Sequence, residues 1–234
     1  MHWHEAYEKV LPHILRIETP DGAGTGFLFG YNADRSLAAI ATAAHVVDRA
    51  HAWKQPIKII HHTSGQEVFL QGHERVVFLD RKRDSASILV PTGTLPLPES
   101  PLPLMDVKQI KKVGVVLAWV GFPSVAYPEL CFFTGSVSAF LFNDDCYLID
   151  GVAINGVSGG PVFDALTGNQ PELVGSISAY ISNRVGGASL PGLLRAQDIT
   201  SFHEALQTVR SLDEARKMEE EQSKDQPPSV SPEN

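Results

Sequence analysis

Apolar residues along this chain recur in short runs or with a period of two, and almost never with the period of a helix. The first group of runs is ILRIE (14–18), GFLFG (26–30), AAIATA (38–43), PIKII (56–60), EVFLQGH (67–73), RVVFLD (75–80) and SASILV (85–90). The second is VGVVLAWV (113–120), GSVSAFLF (135–142), CYLID (146–150), PVF (161–163) and LVGSISAYI (173–181). All are rich in Val, Ile, Leu and Phe and are separated by Gly, Asn, Asp or Pro. About a dozen strands at this spacing predict an all-β sandwich or barrel. Between the two groups, PTGTLPLPESPLPL (91–104) carries five prolines and is excluded as a central strand. It is read as a connection between two β units, the first over about 14–90 and the second over about 105–199.

Helical signals are confined to the ends. HEAYEKVL (4–11) predicts a short helix stopped at Pro12. Near the other end, Ser201 and Glu204 stand at the S-x-x-E spacing of a capping box. A C-terminal helix is therefore expected over about 201–211, with Phe202, Ala205, Leu206 and Val209 on one face. The charged residues that follow can carry it as far as Met218. The segment 212–234 is polar, then Pro/Ser-rich, and is read as a disordered tail. The main domain is thus placed at 1–211.

Composition narrows the function classes. The chain has 234 residues, 43% of them hydrophobic, and a net charge of −8. That length supports one large or two small units with a real core. An acidic chain without a basic stripe is a poor binder of nucleic acid. The first twenty residues lack the apolar core of a signal peptide. The longest apolar stretch, 113–122, is about half of the roughly 20 residues that a spanning helix needs. No membrane is expected as a partner. Cys131 and Cys146 flank a hairpin turn at Asn143, Asp144 and Asp145, which pairs Cys146 near Leu141 and away from Cys131. No disulfide follows, and the compartment is read as reducing and cytoplasmic.

Three strings carry candidate chemistry: ATAAHVV (41–47), RDSASIL (83–89) and GVSGGP (156–161). Each has a plain reading alone. A histidine ending an apolar strand is often a core residue, an aspartate opening a strand is often a turn charge, and glycines around a serine often make only a loop. Taken in the order His45, Asp84, Ser158 on a two-unit β chain, they resemble the trypsin-like serine peptidases of the chymotrypsin fold. Within these, the chain is most similar to the disulfide-free branch that includes the HtrA proteases. The resemblance spans about 14–210. It is carried by GTGF (24–27), TAAH (42–45), DSA (84–86), GFP (121–123), TGSV (134–137) and GVSGGP (156–161).

The resemblance implies two six-stranded antiparallel β-barrels with a C-terminal helix, and a serine endopeptidase working through an acyl-enzyme. Ser158 is then the nucleophile, His45 its base, and Asp84 the group that holds the His45 tautomer. The N–H groups of Gly156 and Ser158 form the oxyanion hole. Ser178 is expected to hydrogen-bond Asp84 and to pair with the substrate backbone. Val152 falls at the floor of the S1 pocket, with Tyr180 and Gly192 on its walls, so a small or medium apolar P1 residue is expected. Substrates are proteins or peptides, and the reading leaves room for a regulatory protein partner. No cofactor or metal is implied: His2, His4, His61 and His62 are read as surface residues, and the GxGxG of 22–26 as a strand hairpin.

Two departures from the family pattern stand out. Val157 occupies the position where the secreted branch has an aspartate that pairs with a new N-terminus, so activation by propeptide removal is not expected. About 23 residues follow Ser211, too few for a PDZ domain. The alternative reading is a non-catalytic or partner-activated peptide-binding module on the same fold.

Overall fold

A computed structural model describes residues 1–152, 154–166, 168–185 and 188–224. Helix α1 (Trp3–Val10) buries Ala6 and Val10, and a single 3-10 turn, Leu11–His13, takes up Pro12 before the first strand. The first half then holds β1 (Ile14–Thr19), β2 (Gly22–Tyr31), β3 (Leu37–Ala43), helix α2 (Ala44–Ala52), β4 (Ile57–His61), β5 (Glu67–Leu70), β6 (Val76–Asp80) and β7 (Ser85–Pro91). The second half holds β8 (Val116–Gly121), β9 (Cys131–Leu141), β10 (Cys146–Asp150), β11 (Pro161–Asp164), β12 (Glu172–Val185) and β13 (Ala188–Asp198), followed by α3 (Thr200–Lys224). Beyond Pro91, which ends β7, the proline-rich segment forms no named strand; it is held to the second half by the Leu104–Leu173 bridge and by the Leu173 N–H on the Pro103 carbonyl at 2.8 Å.

The second half is a closed six-stranded barrel in the order β10-β13-β12-β11-β8-β9. The first half is different from the expected six-stranded barrel: it is a seven-stranded sheet, β5-β4-β1-β2-β3-β7-β6, with no ladder between its edges β5 and β6 among the described residues. Arg75 sits beside the β5 edge: its buried guanidinium donates to the carbonyls of Leu70 at the end of β5, of Gln55 and of Ala50. The Leu70 carbonyl is thereby satisfied by a side chain.

Three further elements depart from the sequence reading. Helix α2 lies where the valines of 41–47 suggest a strand ending. Strand β13 lies beyond the last apolar run. The C-terminal helix runs to Lys224 rather than ending near 211; the part of the expected tail at 225–234 lies outside the described residues. The capping box is also not formed by Ser201. Instead the Asp198 carboxylate accepts the Thr200 N–H at 3.0 Å, and the Ser201 hydroxyl donates to Asp80 at 3.1 Å.

The core is shared. Phe27, Phe29 and Ala41 of the first half pack in one cluster with Trp119, Val157 and Phe163 of the second. Phe202 of α3 enters it against Phe29, with ring centroids 5.0 Å apart. Burying such side chains contributes roughly 1.5–3 kcal/mol each, so the two halves and α3 stabilise one another. The 143–145 turn pairs Cys146 with Leu141, and both cysteines are free, as the spacing predicts. His61 is a correction: it is buried, with its ring nitrogens 2.9 Å from the Pro12 carbonyl and from the Ser64 hydroxyl. Among the described residues no helix is long and apolar enough to cross a membrane.

Candidate active site

Strands β3 and β7 are hydrogen-bonded neighbours, and their register sets Ala43 opposite Ser85. The residues just beyond this pair, Ala44 and His45 on one side and Asp84 on the other, are therefore brought together. His45 sits in the first turn of α2, whose cap residue Ala43 has no side chain able to accept a hydrogen bond. Asp84 supplies what is missing. Its carbonyl accepts the Ala44 N–H at 3.0 Å, and its Oδ1 accepts the His45 N–H at 2.9 Å. Two of the orphan donors of the helix start are satisfied by a residue from a distant turn. The other carboxylate oxygen, Oδ2, lies 2.8 Å from His45 Nδ1. That hydrogen bond raises the His45 pKa above the ordinary imidazole value, against the opposing pull of partial burial. Asp84 reaches this position with a left-handed φ of +50°, a conformation that aspartate tolerates better than most residues.

The serine lies on the bend at 155–160. Gly156 has φ +96° and Gly159 φ +82°. A Cβ on the first would collide with the Phe122 carbonyl oxygen, and on the second with the Thr25 carbonyl. These positions need glycine for both reasons. The bend is bolted to its surroundings. The Ser158 carbonyl accepts the Thr25 N–H at 2.8 Å, and the Gly159 N–H donates to Ile177 at 2.7 Å. The Thr25 hydroxyl accepts the Phe122 N–H at 3.1 Å and donates to the Gly156 carbonyl at 2.8 Å. Among the described residues, the N–H groups of Gly156 and Ser158 donate to no acceptor in the chain. His45, Gly156 and Ser158 line one cavity of about 220 Å³, with Asn155 beside them and the Asp21–Arg49 pair on its wall.

The remaining residues singled out by sequence are distributed as follows. Tyr180 and Gly192 are together on the β12–β13 hairpin, where the Tyr180 hydroxyl accepts the Gly192 N–H. Val152 is 55% exposed. Ser178 does not bond Asp84. The β12–β13 register slips between Ile177 and Ala179, and the Ser178 hydroxyl is turned toward the Arg195 carbonyl at 3.5 Å. Val157 is fully buried against Gly121 in the shared core. Sequence reasoning missed Thr25 as an individual residue, although it sits inside the GTGF string. It also missed Arg49 and Asn155, for which no sequence pattern offers a signal.

Residues 24–175 match the family model of a trypsin-like peptidase domain. No curated protein matches the chain. Among solved structures, the crystal structure of Deg5 superposes with a TM-score of 0.62 at 18% identity, covering 87% of this chain and 94% of that one. The serine endoprotease from Yersinia pestis superposes with a TM-score of 0.64 at 17% identity, covering 89% of this chain and 66% of that one. At these identities the likeness speaks for the fold.

Proposed function

The chain belongs to the trypsin-like peptidase family of serine-protease hydrolases, and from that premise we propose that it cleaves peptide bonds through His45, Asp84 and Ser158. The observation that carries this reading is the double contact of Asp84 with His45, on the wall of the cavity that Ser158 also lines. A serine hydroxyl is a weak nucleophile at neutral pH and needs a base. His45 has one ring nitrogen held by Asp84, which leaves Nε2 as the proton acceptor. During attack, the Ser158 oxygen bonds to the substrate carbonyl carbon as its proton passes to Nε2. The carbonyl oxygen becomes an oxyanion, met by the N–H groups of Gly156 and Ser158. The tetrahedral species collapses when His45 returns the proton to the departing amine, leaving an acyl group on Ser158. Water then attacks the ester by the same route, and the acid is released.

Each oxyanion donor is worth about 3–4 kcal/mol of transition-state stabilisation in such a site. The fixed bend at 155–160, with both N–H groups unengaged among the described residues, supports that role. The S1 pocket is assigned to Val152 at the floor with Tyr180 and Gly192 at the walls, so apolar P1 residues of small or medium size are favoured. The Val157 side chain is buried in apolar surroundings, and no carboxylate stands there to recruit a new N-terminus. The enzyme is therefore active without such processing. The unpaired Cys131 and Cys146 support a reducing compartment such as the cytoplasm. The reading is tested by hydrolysis of an unstructured protein. Full-length chain releases peptides, and Ser158→Ala does not. Release by the variant at the wild-type rate would refute it, and peptide binding with no hydrolysis by either form would favour a binding module.

A further inference from the structure

Arg83 immediately precedes Asp84 and reaches carboxylates from three separate parts of the chain. Its Nη1 donates to Asp80 Oδ2 at 3.0 Å, and its backbone N–H donates to Asp80 Oδ1, also at 3.0 Å. Its Nε donates to Asp145 Oδ2 at 2.9 Å, in the turn between β9 and β10. Its Nη1 also meets Glu204 Oε2 of α3 at 3.3 Å. The Ser201 hydroxyl of α3 joins the same Asp80 oxygen at 3.1 Å. The Arg83 side chain is only 19% exposed, so the fork is largely shielded from water. A planar guanidinium fixes the direction as well as the distance of its partners.

The turn at 81–84 must hold Asp84 at φ +50°. A non-glycine residue keeps such a backbone where its surroundings over-determine it. On the far side, the restraint is the β3–β7 ladder and the Ala44 N–H on the Asp84 carbonyl. On the near side, Arg83 anchors the turn from within, while Arg81 adds a more exposed pair with Asp48 of α2 at 2.6 Å.

We propose that Arg83 is a positioning residue for this site: its clamp on Asp80, Asp145 and Glu204 fixes the 81–84 turn and thereby aims the Asp84 carboxylate at His45. The inference rests on the serine-peptidase reading for its kinetic consequence, but not for its geometric one. It also makes the His45–Asp84 contact depend on how the barrel turn and α3 are docked, because one arm of the clamp comes from each.

The test compares full-length wild type with Arg83→Gln and Asp145→Asn. The readouts are the pH profile of kcat/KM, the titration of the His45 ring by NMR, and thermal stability. Lys58→Gln, which removes a cation from the Glu18 and Glu67 pairs on the first sheet, serves as an ion-pair control. Around His45, among the described residues, stand Asp84 from the turn, Asp21 and Arg49 on the cavity wall, and the Asp48–Arg81 pair one turn along α2. Neither variant changes any of them. Loss of a cation by Coulomb's law alone would raise the His45 midpoint. Loss of a well-aimed Asp84 lowers it, because the hydrogen bond is what raises it. We expect Arg83→Gln to lower the midpoint in both titrations and to reduce kcat about tenfold or more. Asp145→Asn should do the same to a smaller degree, since asparagine accepts the left-handed φ of +49° at that position. A folded Arg83→Gln whose midpoint stays in place or rises overturns the proposal. If Arg83→Gln does not fold, Arg83→Lys decides, because it keeps the cation and loses the planar fork: a lowered midpoint supports the clamp, and a midpoint that stays in place overturns it. An inactive wild type would refute the peptidase reading alone, and the NMR midpoints would still decide for or against the clamp.

Discussion

The Asp84 carboxylate meets His45 twice, at the backbone N–H through Oδ1 at 2.9 Å and at the ring through Oδ2 at 2.8 Å. One side chain therefore caps the helix that carries the histidine and holds the ring of the same residue. The position and tautomer of the proposed base are set by one group, and the effects of altering it should appear in both stability and catalysis.

Asp84→Asn tests this coupling. The amide oxygen can still accept the His45 N–H, but an NH2 group facing Nδ1 favours the wrong tautomer. We expect kcat to fall by about 10⁴-fold, the size of such a change in a Ser-His-Asp site. The pH dependence follows by sign. His45 acts only when neutral, and its pKa is raised in the native fold. The acid limb of kcat/KM should thus lie above the ordinary imidazole value in wild type and move to lower pH in the variant. The same shift contributes stability while His45 is protonated, which is lost as pH rises through the raised value. An acid limb that moves upward in Asp84→Asn would contradict the account.

Gly156→Ala should inactivate. A methyl group there meets the Phe122 carbonyl oxygen, and alanine disfavours the φ of +96°. Relief requires the 155–160 bend to move, which misdirects the N–H groups proposed for the oxyanion. We expect a loss of about 10²–10³-fold in kcat and a stability cost of about 1–3 kcal/mol. Denaturant titration and steady-state kinetics separate the two, and wild-type kcat in a destabilised variant would remove Gly156 from the mechanism.

Thr25→Val replaces the hydroxyl that links the first sheet to the serine bend. The Phe122 N–H and the Gly156 carbonyl both lose their partner in a buried setting. Unsatisfied groups of this kind cost about 1–3 kcal/mol each. Thr25→Ser should retain most of the stability. A valine variant as stable as wild type, with the loss confined to the serine variant, would show that the methyl group, not the hydroxyl, is what matters.

A peptide library should show cleavage after Ala, Val or Leu ahead of Arg or Lys. If Val152 floors the pocket as proposed, a cationic P1 side chain entering it loses water without gaining a carboxylate, a penalty of several kcal/mol. An apolar one gains roughly 25 cal/mol for each Å² buried. Tyr180, tied to the Gly192 N–H, limits the width, so Phe and Trp should be poorer than Ala or Val. Dominant cleavage after Arg or Lys would mean that an acidic residue lines the pocket.

Which features were readable from sequence depends on how local their causes are. The strands of the first half appear as seven separate apolar runs, and seven strands form there; the expectation of six came from family resemblance. That its edges stay unpaired could not be read, because the contacts near the β5 edge come from Arg75 reaching carbonyls 5 to 25 residues away. Helix α2 was hidden for a related reason. Val46 and Val47 read as strand residues, and the group that caps the helix lies 39 residues onward, at Asp84. The buried positions Ala44, Val47 and Ala50 do repeat at helical spacing, so a signal was present but short. The expected bond from Ser178 to Asp84 is not made because a register slip in β12 turns the hydroxyl toward Arg195, and such irregularities leave little trace in periodicity. His45, Asp84 and Ser158 could be singled out as candidates because each sits in a distinctive string and the three strings keep a recognisable order.

The most direct test of the central claim is the labelling of full-length protein by a fluorophosphonate, followed by peptide mapping. Such a probe phosphonylates a serine activated by a neighbouring base, with loss of fluoride. The account predicts one adduct per chain, on Ser158, abolished in Ser158→Ala and slowed at least about 10²-fold in His45→Ala. Unlabelled wild type, or an adduct on a serine other than Ser158, would contradict it.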